Sequence, residues 1–297
     1  MKFGGTSVAS IEKLKNIVNI VSKELENSKV IVVLSAMAGE TNKLQNYLDQ
    51  FYSQNSIESD LVLTSGEQVT IGLLSAALKN EGIASIPLLG WQIPIITDDN
   101  YEKAKILKID NQRILRYLEN NDVIVLAGFQ GINLNGNITS LGRGGSDTTA
   151  VAIASAVGAK RCDIYTDVEG VYTTDPNIEV NAKKIDKVSY EEMLEMSSTG
   201  AKVLHTRSVE LAMKNNLTLQ VLSSLTKKSG TFVINENELI EKEIVSGVSY
   251  SKNEAKVTIS GILDKPGISA KIFSLMTENN INVDMIVQNI SQDGISA

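Results

Sequence analysis

Val30-Ile31-Val32-Val33-Leu34 runs directly into Ser35-Ala36-Met37-Ala38-Gly39-Glu40-Thr41-Asn42. An unbroken aliphatic run of this length predicts a strand buried on both faces. The small and polar residues after it predict a loop at its carboxyl end. The same order recurs along the chain. Val123 to Leu126 leads into Gly128 to Gly131, and Asp163 to Tyr165 leads into Thr166-Asp167. Leu217 to Leu222 is a further candidate strand. Helical patterns lie between, at Ile11 to Leu25, Gly66 to Asn80, Asn111 to Asn120 and Asp147 to Val157. This alternation predicts an α/β fold, a three-layer sandwich with a largely parallel central sheet. Ligands of such sheets bind outside the carboxyl ends of the strands, where these polar loops fall.

Composition narrows the class. A chain of 297 residues suits two domains, and 42% apolar content supports a large core. A net charge of -7 argues against non-specific nucleic-acid binding. The lone Cys162 allows no intramolecular disulfide and fits a reducing compartment. The lone His205 cannot by itself build a zinc site or a His-rich catalytic centre, and reads as a structural residue. There is no signal-like start and no 18-residue apolar run, so the expected location is the cytoplasm, with no membrane partner.

Three segments carry the chemistry. Near the start, Lys2 precedes Gly4-Gly5-Thr6-Ser7. Bare glycine amides, a helix start and a fixed cation together suit phosphate groups, although the order differs from a P-loop. Next comes Leu141-Gly142-Arg143-Gly144-Gly145-Ser146-Asp147. Its glycines admit close approach of a ligand, Ser146 is placed to cap the following helix, and Gly158 to end it. Arg143 offers a fork for a carboxylate. Asp147 could orient lysines or a magnesium ion, or could simply favour the helix dipole. The third is Tyr165 to Pro176, an acid at a strand end followed by two turns. Tyr172 could stack on a base and Asp175 could accept ribose or base hydrogens; the alternative is an ordinary surface turn. Glu67, in the first turn of a helix, could bind an ammonium or only favour the dipole. Lys202 could reach a nucleotide phosphate.

The texture changes near Asn235. Asn235 to Lys242 reads as a linker or surface helix. Beyond it, Ala255 to Gly261 alternates like a strand, Asp264 to Gly267 makes a turn, Ile268 to Glu278 is helical, and Ile281 to Gln288 is a second strand. The expected division is a catalytic domain over 1–238 and a small α+β module over 239–297. One helix over two strands leaves that module incomplete.

In chain order, KFGGTSV, SAMAGETN, LTSGE, GRGGSD, YTDVEGVYTTDP and GAKVLH resemble the motifs of aspartokinases, which have the amino-acid kinase fold. The tail around Lys265 to Ile268 and Asn282 to Ile286 resembles that family's first ACT regulatory module. The resemblance implies a reaction of Mg-ATP with L-aspartate. Lys2 would stabilise the transferred phosphoryl group, with Asp147 as the other catalytic residue. Gly4, Gly5 and Ser35 would lie beside the ATP phosphates. Thr166, Asp167, Tyr172, Asp175, Lys202 and Val203 would line the nucleotide side. Thr41, Glu67 and Arg143 would hold aspartate, Glu67 by its ammonium and Arg143 by its α-carboxylate. Gly144, Gly145, Ser146 and Asp147 would line the junction of the two substrates. No metal-ligand set is assigned.

It also implies a homodimer and an effector, lysine or threonine, at the ACT module. The sequence departs from the family at Asn177, where arginine is usual, and at Thr206, where proline is common. The stretch from Asn42 to Leu63 is short, the first strand is clipped, and a second ACT module is absent. The chain thus reads as part of something longer. The competing readings are a kinase of the same fold acting on glutamate, acetylglutamate or a nucleotide, and a non-catalytic regulatory subunit.

Overall fold

The structure is a computed structural model. It describes residues 1–51, 55–200, 203–226, 228–239, 245–250, 255–263, 265–279, 281, 283, 286, 287, 295 and 296. The chain divides into two compact units, Met1–Tyr250 and Ser251–Ala297.

The first unit opens with β1 (Lys2–Phe3) and a 3-10 turn over Gly5–Val8. Ser10 then caps α1 (Ile11–Leu25) by accepting from the Lys13 amide at 3.3 Å. Leu14, Ile17, Val18 and Val21 form its buried stripe, at helical spacing. β2 (Val30–Leu34) leads to α2 (Glu40–Leu48), α3 (Ile57–Leu63) and α4 (Ser65–Asn80). The run from Ile57 to Asn80 is long and apolar enough to cross a membrane by length and composition. Half of its apolar window is buried in the fold, with Ile71, Leu74 and Leu78 in the core, as for the core helix of a globular protein.

β3 (Ser85–Leu88), β4 (Ile95–Thr97) and β5 (Ile106–Ile109) precede α5 (Asn111–Asn120), which Asp110 caps through the Arg113 amide. β6 (Val123–Ala127), β7 (Gln130–Ile132) and β8 (Ile138–Ser140) lead to α6 (Gly145–Ala156). Then come β9 (Cys162–Thr166), β10 (Lys187–Ser189), α7 (Tyr190–Ser198), α8 (Thr206–Lys214), β11 (Leu219–Ser223) and β12 (Thr231–Ile234). Thr206 simply starts α8 in place of the usual proline.

The central sheet has eight strands in the order β10-β12-β11-β9-β1-β2-β6-β3. Every neighbouring pair from β11 to β3 is parallel; only β11 and β12 run antiparallel. A smaller sheet, β5-β4-β7-β8, stands beside it. Alternation along the strands separates two cores. Val30, Val32 and Leu34 join Val123 and Val125 under α1 and α4. Val33, Ile124 and Leu126 face the other way, with Ile153 of α6 and Val209 of α8. Helices therefore cover both faces, as the buried strands require. Full burial of each such side chain is worth about 1.5–3 kcal/mol. Cys162 is buried, and burial pushes its thiol up to about 12, so it is protonated and unreactive at neutral pH.

Although only two residues long, β1 pairs with β2 on one side and β9 on the other. Its hold extends to Met1, whose carbonyl accepts from the Val33 amide at 2.8 Å and whose amine donates to the Ile31 carbonyl at 2.8 Å.

In the second unit, β13 (Ile262–Leu263) pairs antiparallel with β14 (Ile295–Ser296), and α9 spans Ile268–Glu278. The strand expected over 255–261 does not form. Residues 255–260 have no regular structure and are exposed, Val257 at 69%, so their alternating apolar side chains have no surface to pack on. Of the expected strand at 281–288, residues 281, 283, 286 and 287 also lack regular structure, and 282, 284, 285 and 288 lie outside the described residues. Among the described residues of the linker, Glu236–Glu238 forms a short 3-10 turn, capped by Asn235.

Candidate active site

The carboxyl ends of β1, β2, β6, β9 and β11 converge, and the motif loops leave from them. After β1, Gly5 lets its turn press on the loop after β2. A Cβ there would lie 2.9 Å from the Ala36 carbonyl oxygen, while the Ala38 amide donates to the Gly5 carbonyl at 3.2 Å. Gly4 lies beside Lys2 Nζ, which a Cβ would approach to 3.3 Å. Ser7 Oγ meets Ser224 Oγ at 2.8 Å, tying this turn to the end of β11.

Because Phe3 points into the core under α1, Lys2 emerges on the opposite face, toward α6. Its Nζ stands 2.6 Å from Asp147 Oδ1, and both side chains are almost buried. The contact is an ion pair by distance; no hydrogen-bond donor is aligned on that oxygen.

The start of α6 differs from expectation. Ser146 is not the cap: the helix begins at Gly145, and its N-cap is Gly144 in the left-handed region, at φ 70. Ser146 lies in the first turn, against the Gly128 backbone after β6. The Gly145 amide donates to the Gly142 carbonyl at 2.9 Å, and no side chain of the described residues caps the helix, so the amides of Ser146 and Asp147 are the ones left to an anion. Gly158 does end it, at φ 65. A Cβ on Gly144 would lie 2.2 Å from His205 Cγ, and its φ already disfavours a side chain. Gly144→Ala is therefore expected to cost about 2–4 kcal/mol of stability by chemical denaturation. An unchanged unfolding midpoint would show that His205 does not pack there.

Glu67 lies in the first turn of α4, only 3% exposed. Its Oε1 accepts from the Ala36 amide at 3.1 Å, beside Ser35; its Oε2 has no partner among the described residues. Burial pushes this carboxyl up to about 7, against the pull of the Ala36 amide. A buried carboxylate oxygen without a donor is a receptor for a cationic group. Ser35 receives the Thr70 hydroxyl on its carbonyl at 2.9 Å. Thr41 is half-buried in the first turn of α2. Arg143 is exposed, and among the described residues its guanidinium makes no hydrogen bond or ion pair.

On the β9 side, Thr166 Oγ1 donates to Asp167 Oδ1 at 3.1 Å, and Asp167 is exposed. Tyr172 is half-buried, its hydroxyl 3.4 Å from Glu169. Asp175 Oδ1 accepts from the Asn177 amide at 2.9 Å and from Asn177 Nδ2 at 3.0 Å. The residue that replaces arginine thus serves the turn itself. Val203 packs on the core, and Lys202 lies outside the described residues. Among the described residues no group of three or more His, Cys, Asp or Glu could hold a metal.

Two charged residues that the motifs did not mark lie close by. Asp60 is fully buried and accepts from Ser140 and Glu102; burial raises its carboxyl pKa, and these donors oppose the rise. Arg207 donates to the carbonyls of Leu141 and Ala104, and burial lowers its pKa. The one signal for Asp60 is an acid set directly before the apolar Leu61-Val62-Leu63.

The sequence matches the Amino acid kinase family over residues 1–223 and the ACT domain over residues 257–297. It is 49% identical to an aspartate kinase of Pseudomonas putida over 295 residues, 98% of this chain and 72% of that one. The fold resembles E. coli aspartokinase III in complex with aspartate and ADP in the R-state, with a TM-score of 0.74 at 24% identity, covering 99% of this chain and 77% of that one. The complex of the same E. coli protein with lysine and aspartate, in the T-state, gives 0.72 at 25% identity with the same coverage.

Proposed function

This chain belongs to the aspartokinase family and is an aspartate kinase, and we propose that the residues above divide the work of its reaction. The observation that carries the assignment of the amino-acid site is Glu67, whose buried Oε2 has no partner among the described residues. It would take the α-ammonium of L-aspartate, and Arg143 would take the α-carboxylate. Thr41, Gly144, Gly145 and Ser146 would border the substrate. The side-chain carboxylate would then meet ATP near Lys2.

The nucleophile is already an anion, so no general base is required. One carboxylate oxygen bonds to the γ-phosphorus, the bond from that phosphorus to the bridging oxygen breaks, and its electron pair leaves with ADP. The product is 4-phospho-L-aspartate. Charge spread over the transferring group is met by Lys2, and the amides of Gly5, Ser146 and Asp147 would cradle the phosphates, with Gly4, whose amide donates to the Tyr165 carbonyl, bordering them. Asp147 holds Lys2 in place. Ser35, Thr166, Asp167, Tyr172, Asp175, Lys202 and Val203 would border the nucleotide. Asp147 Oδ1 is taken by the Lys2 ammonium, and among the described residues no acid cluster could hold a metal, so a divalent cation would be held mainly by the nucleotide phosphates. Mg2+ would there neutralise charge on the β- and γ-phosphates.

We further place catalysis in residues 1–238 and regulation in residues 239–297, with lysine or threonine as effector of a homodimer. The ACT match and the lysine complex of the E. coli relative support an amino-acid effector. A cytoplasmic location suits an ATP-dependent enzyme whose one cysteine is a buried thiol.

A coupled ADP-release assay at saturating Mg-ATP, with L-aspartate, L-glutamate, N-acetylglutamate and UMP, tests the reading. Turnover with aspartate is expected. Its absence would sink the assignment, in favour of another acceptor or of a non-catalytic role.

The elevated pKa of Glu67 sets a pH dependence. Its ordinary value is 4.5 and the folded value is about 7. An ammonium ligand needs the ionised form, so aspartate binding must expel the proton below that pH. The kcat/KM for aspartate should fall by about tenfold per pH unit on the acid side. Glu67→Gln should remove that slope and leave a low, flat value. A slope retained in Glu67→Gln would assign it to another group. In the free protein the sign runs the other way for stability. The contribution of this carboxyl is complete below pH 4.5 and is lost as pH rises through about 7, because the ionised form is the one burial penalises.

A further inference from the structure

We propose that Asp60 and Arg207 are positioning residues for Arg143, fixing from opposite ends of the side-chain charge scale the backbone segment that carries it. The inference rests on the reading that Arg143 binds the substrate carboxylate.

Two stretches of chain lie side by side here, residues 102–104 and 140–142. They are joined directly by the Ala104 amide, which donates to the Ser140 carbonyl at 2.9 Å. Asp60 gathers donors from both. Its Oδ1 accepts from the Glu102 amide at 3.0 Å and from Ser140 Oγ at 2.5 Å, and its Oδ2 accepts from the Ser140 amide at 2.6 Å. Arg207 gathers acceptors from both. Its Nη1 donates to the Leu141 carbonyl at 2.8 Å and its Nη2 to the Ala104 carbonyl at 2.9 Å. The acid and the base make no ion pair with each other or with any other described residue. Asp60 is fully buried and Arg207 half-buried, and both spend their charge mostly on main chain, the Ser140 hydroxyl being the one side-chain partner.

That arrangement is costly as a stabilising device, since a buried charge without a counter-charge is penalised. It is well suited to holding a backbone in one place, because charge-assisted bonds are short and directional. The backbone needs such help. Gly142 and Gly144 flank Arg143 at φ 75 and φ 70, so the segment has little intrinsic stiffness. Glu102 is itself held at φ 62, which turns its amide toward Asp60. The His205 ring closes the far side against Gly144. Arg143 stands between these fixed points, with its own guanidinium unpartnered among the described residues.

The test is a double-mutant cycle on the intact chain. Arg207→Met, which removes both bonds, should lower kcat/KM for aspartate by about tenfold in the parent protein but by less than about twofold in an Arg143→Ala background. The KM for ATP should stay within about twofold throughout. Asp60→Asn, which turns an amide donor toward backbone donors, should behave likewise. Equal losses in both backgrounds, or a parallel rise in the ATP KM, would overturn the proposal and leave the two residues as structural supports only. If Arg207→Met does not fold, Arg207→Lys keeps the charge and one bond and carries the same cycle. If Arg143→Ala alone leaves kcat/KM for aspartate unchanged, it is the reading of the substrate site that fails.

Discussion

Lys2→Ala lowers kcat by about 10²–10³-fold, the loss expected for one preorganised donor to a developing charge. The KM for aspartate should move by no more than about twofold, since the ammonium and α-carboxylate contacts lie elsewhere. The expectation follows from how the lysine is held. β1 is pinned by a strand on each side and by the main-chain bonds of Met1. Phe3 is fully buried and stacks on Tyr165 at 4.5 Å between ring centroids, which fixes the strand's rotation. Asp147 then takes the ammonium at 2.6 Å. Little reorganisation is left to do at the moment of transfer. The same substitution orphans Asp147, so the melting temperature should fall as well. Lys2→Arg separates the two effects. It restores a charge beside Asp147, and hence much of the melting temperature. Its larger head crowds Gly4, so kcat should remain low. Steady-state kinetics together with thermal melts check this, and a kcat near that of the parent in Lys2→Ala would remove the lysine from the chemistry.

Arg143→Ala raises the KM for aspartate by about 10²-fold, the cost of leaving a desolvated carboxylate without its fork. The ATP KM should be little changed. Arg143 is a surface residue by exposure, and an ordinary surface arginine would be silent when removed. Here the neighbouring Leu141 carbonyl and the Gly144 backbone are both gripped, while the guanidinium itself has no partner among the described residues. Arg143→Lys keeps the charge but offers no bidentate contact, so its KM should fall between the two. Equal increases in the KM of both substrates would count against placing the carboxylate at this residue.

Much of the fold was legible because long periodic segments leave little choice. Ile11–Leu25, Asn111–Asn120 and Ile268–Glu278 are helices with the expected bounds, and Val30–Leu34 is the expected buried strand. The start of α6 was misread, because Ser146 has the chemistry of a cap while Gly144 has the backbone for one. At that position conformation outweighed side-chain preference. The strand expected at 255–261 failed for a different reason: alternation marks a face, but not whether another element covers it. Of the site, the motif residues could be read from their clustering at strand ends. Asp60 and Arg207 could not, since their partners, apart from the Ser140 hydroxyl, are main-chain groups, and all lie from 42 to 103 positions away in the chain. Charges that bind backbone leave no complementary residue type in the sequence to betray them.

The reaction assigned to this site transfers phosphate to the side-chain carboxylate of aspartate at the Lys2–Asp147 pair. Acyl phosphates react with hydroxylamine, whereas phosphate esters and anhydrides are far slower to do so. The most direct measurement is therefore trapping of the product with hydroxylamine during turnover with Mg-ATP and L-aspartate, followed by identification of the hydroxamate by mass. Aspartyl β-hydroxamate should accumulate in step with ADP and should be nearly lost in Lys2→Ala. ADP release from aspartate and ATP without any hydroxamate, or undiminished hydroxamate in Lys2→Ala, would contradict the account.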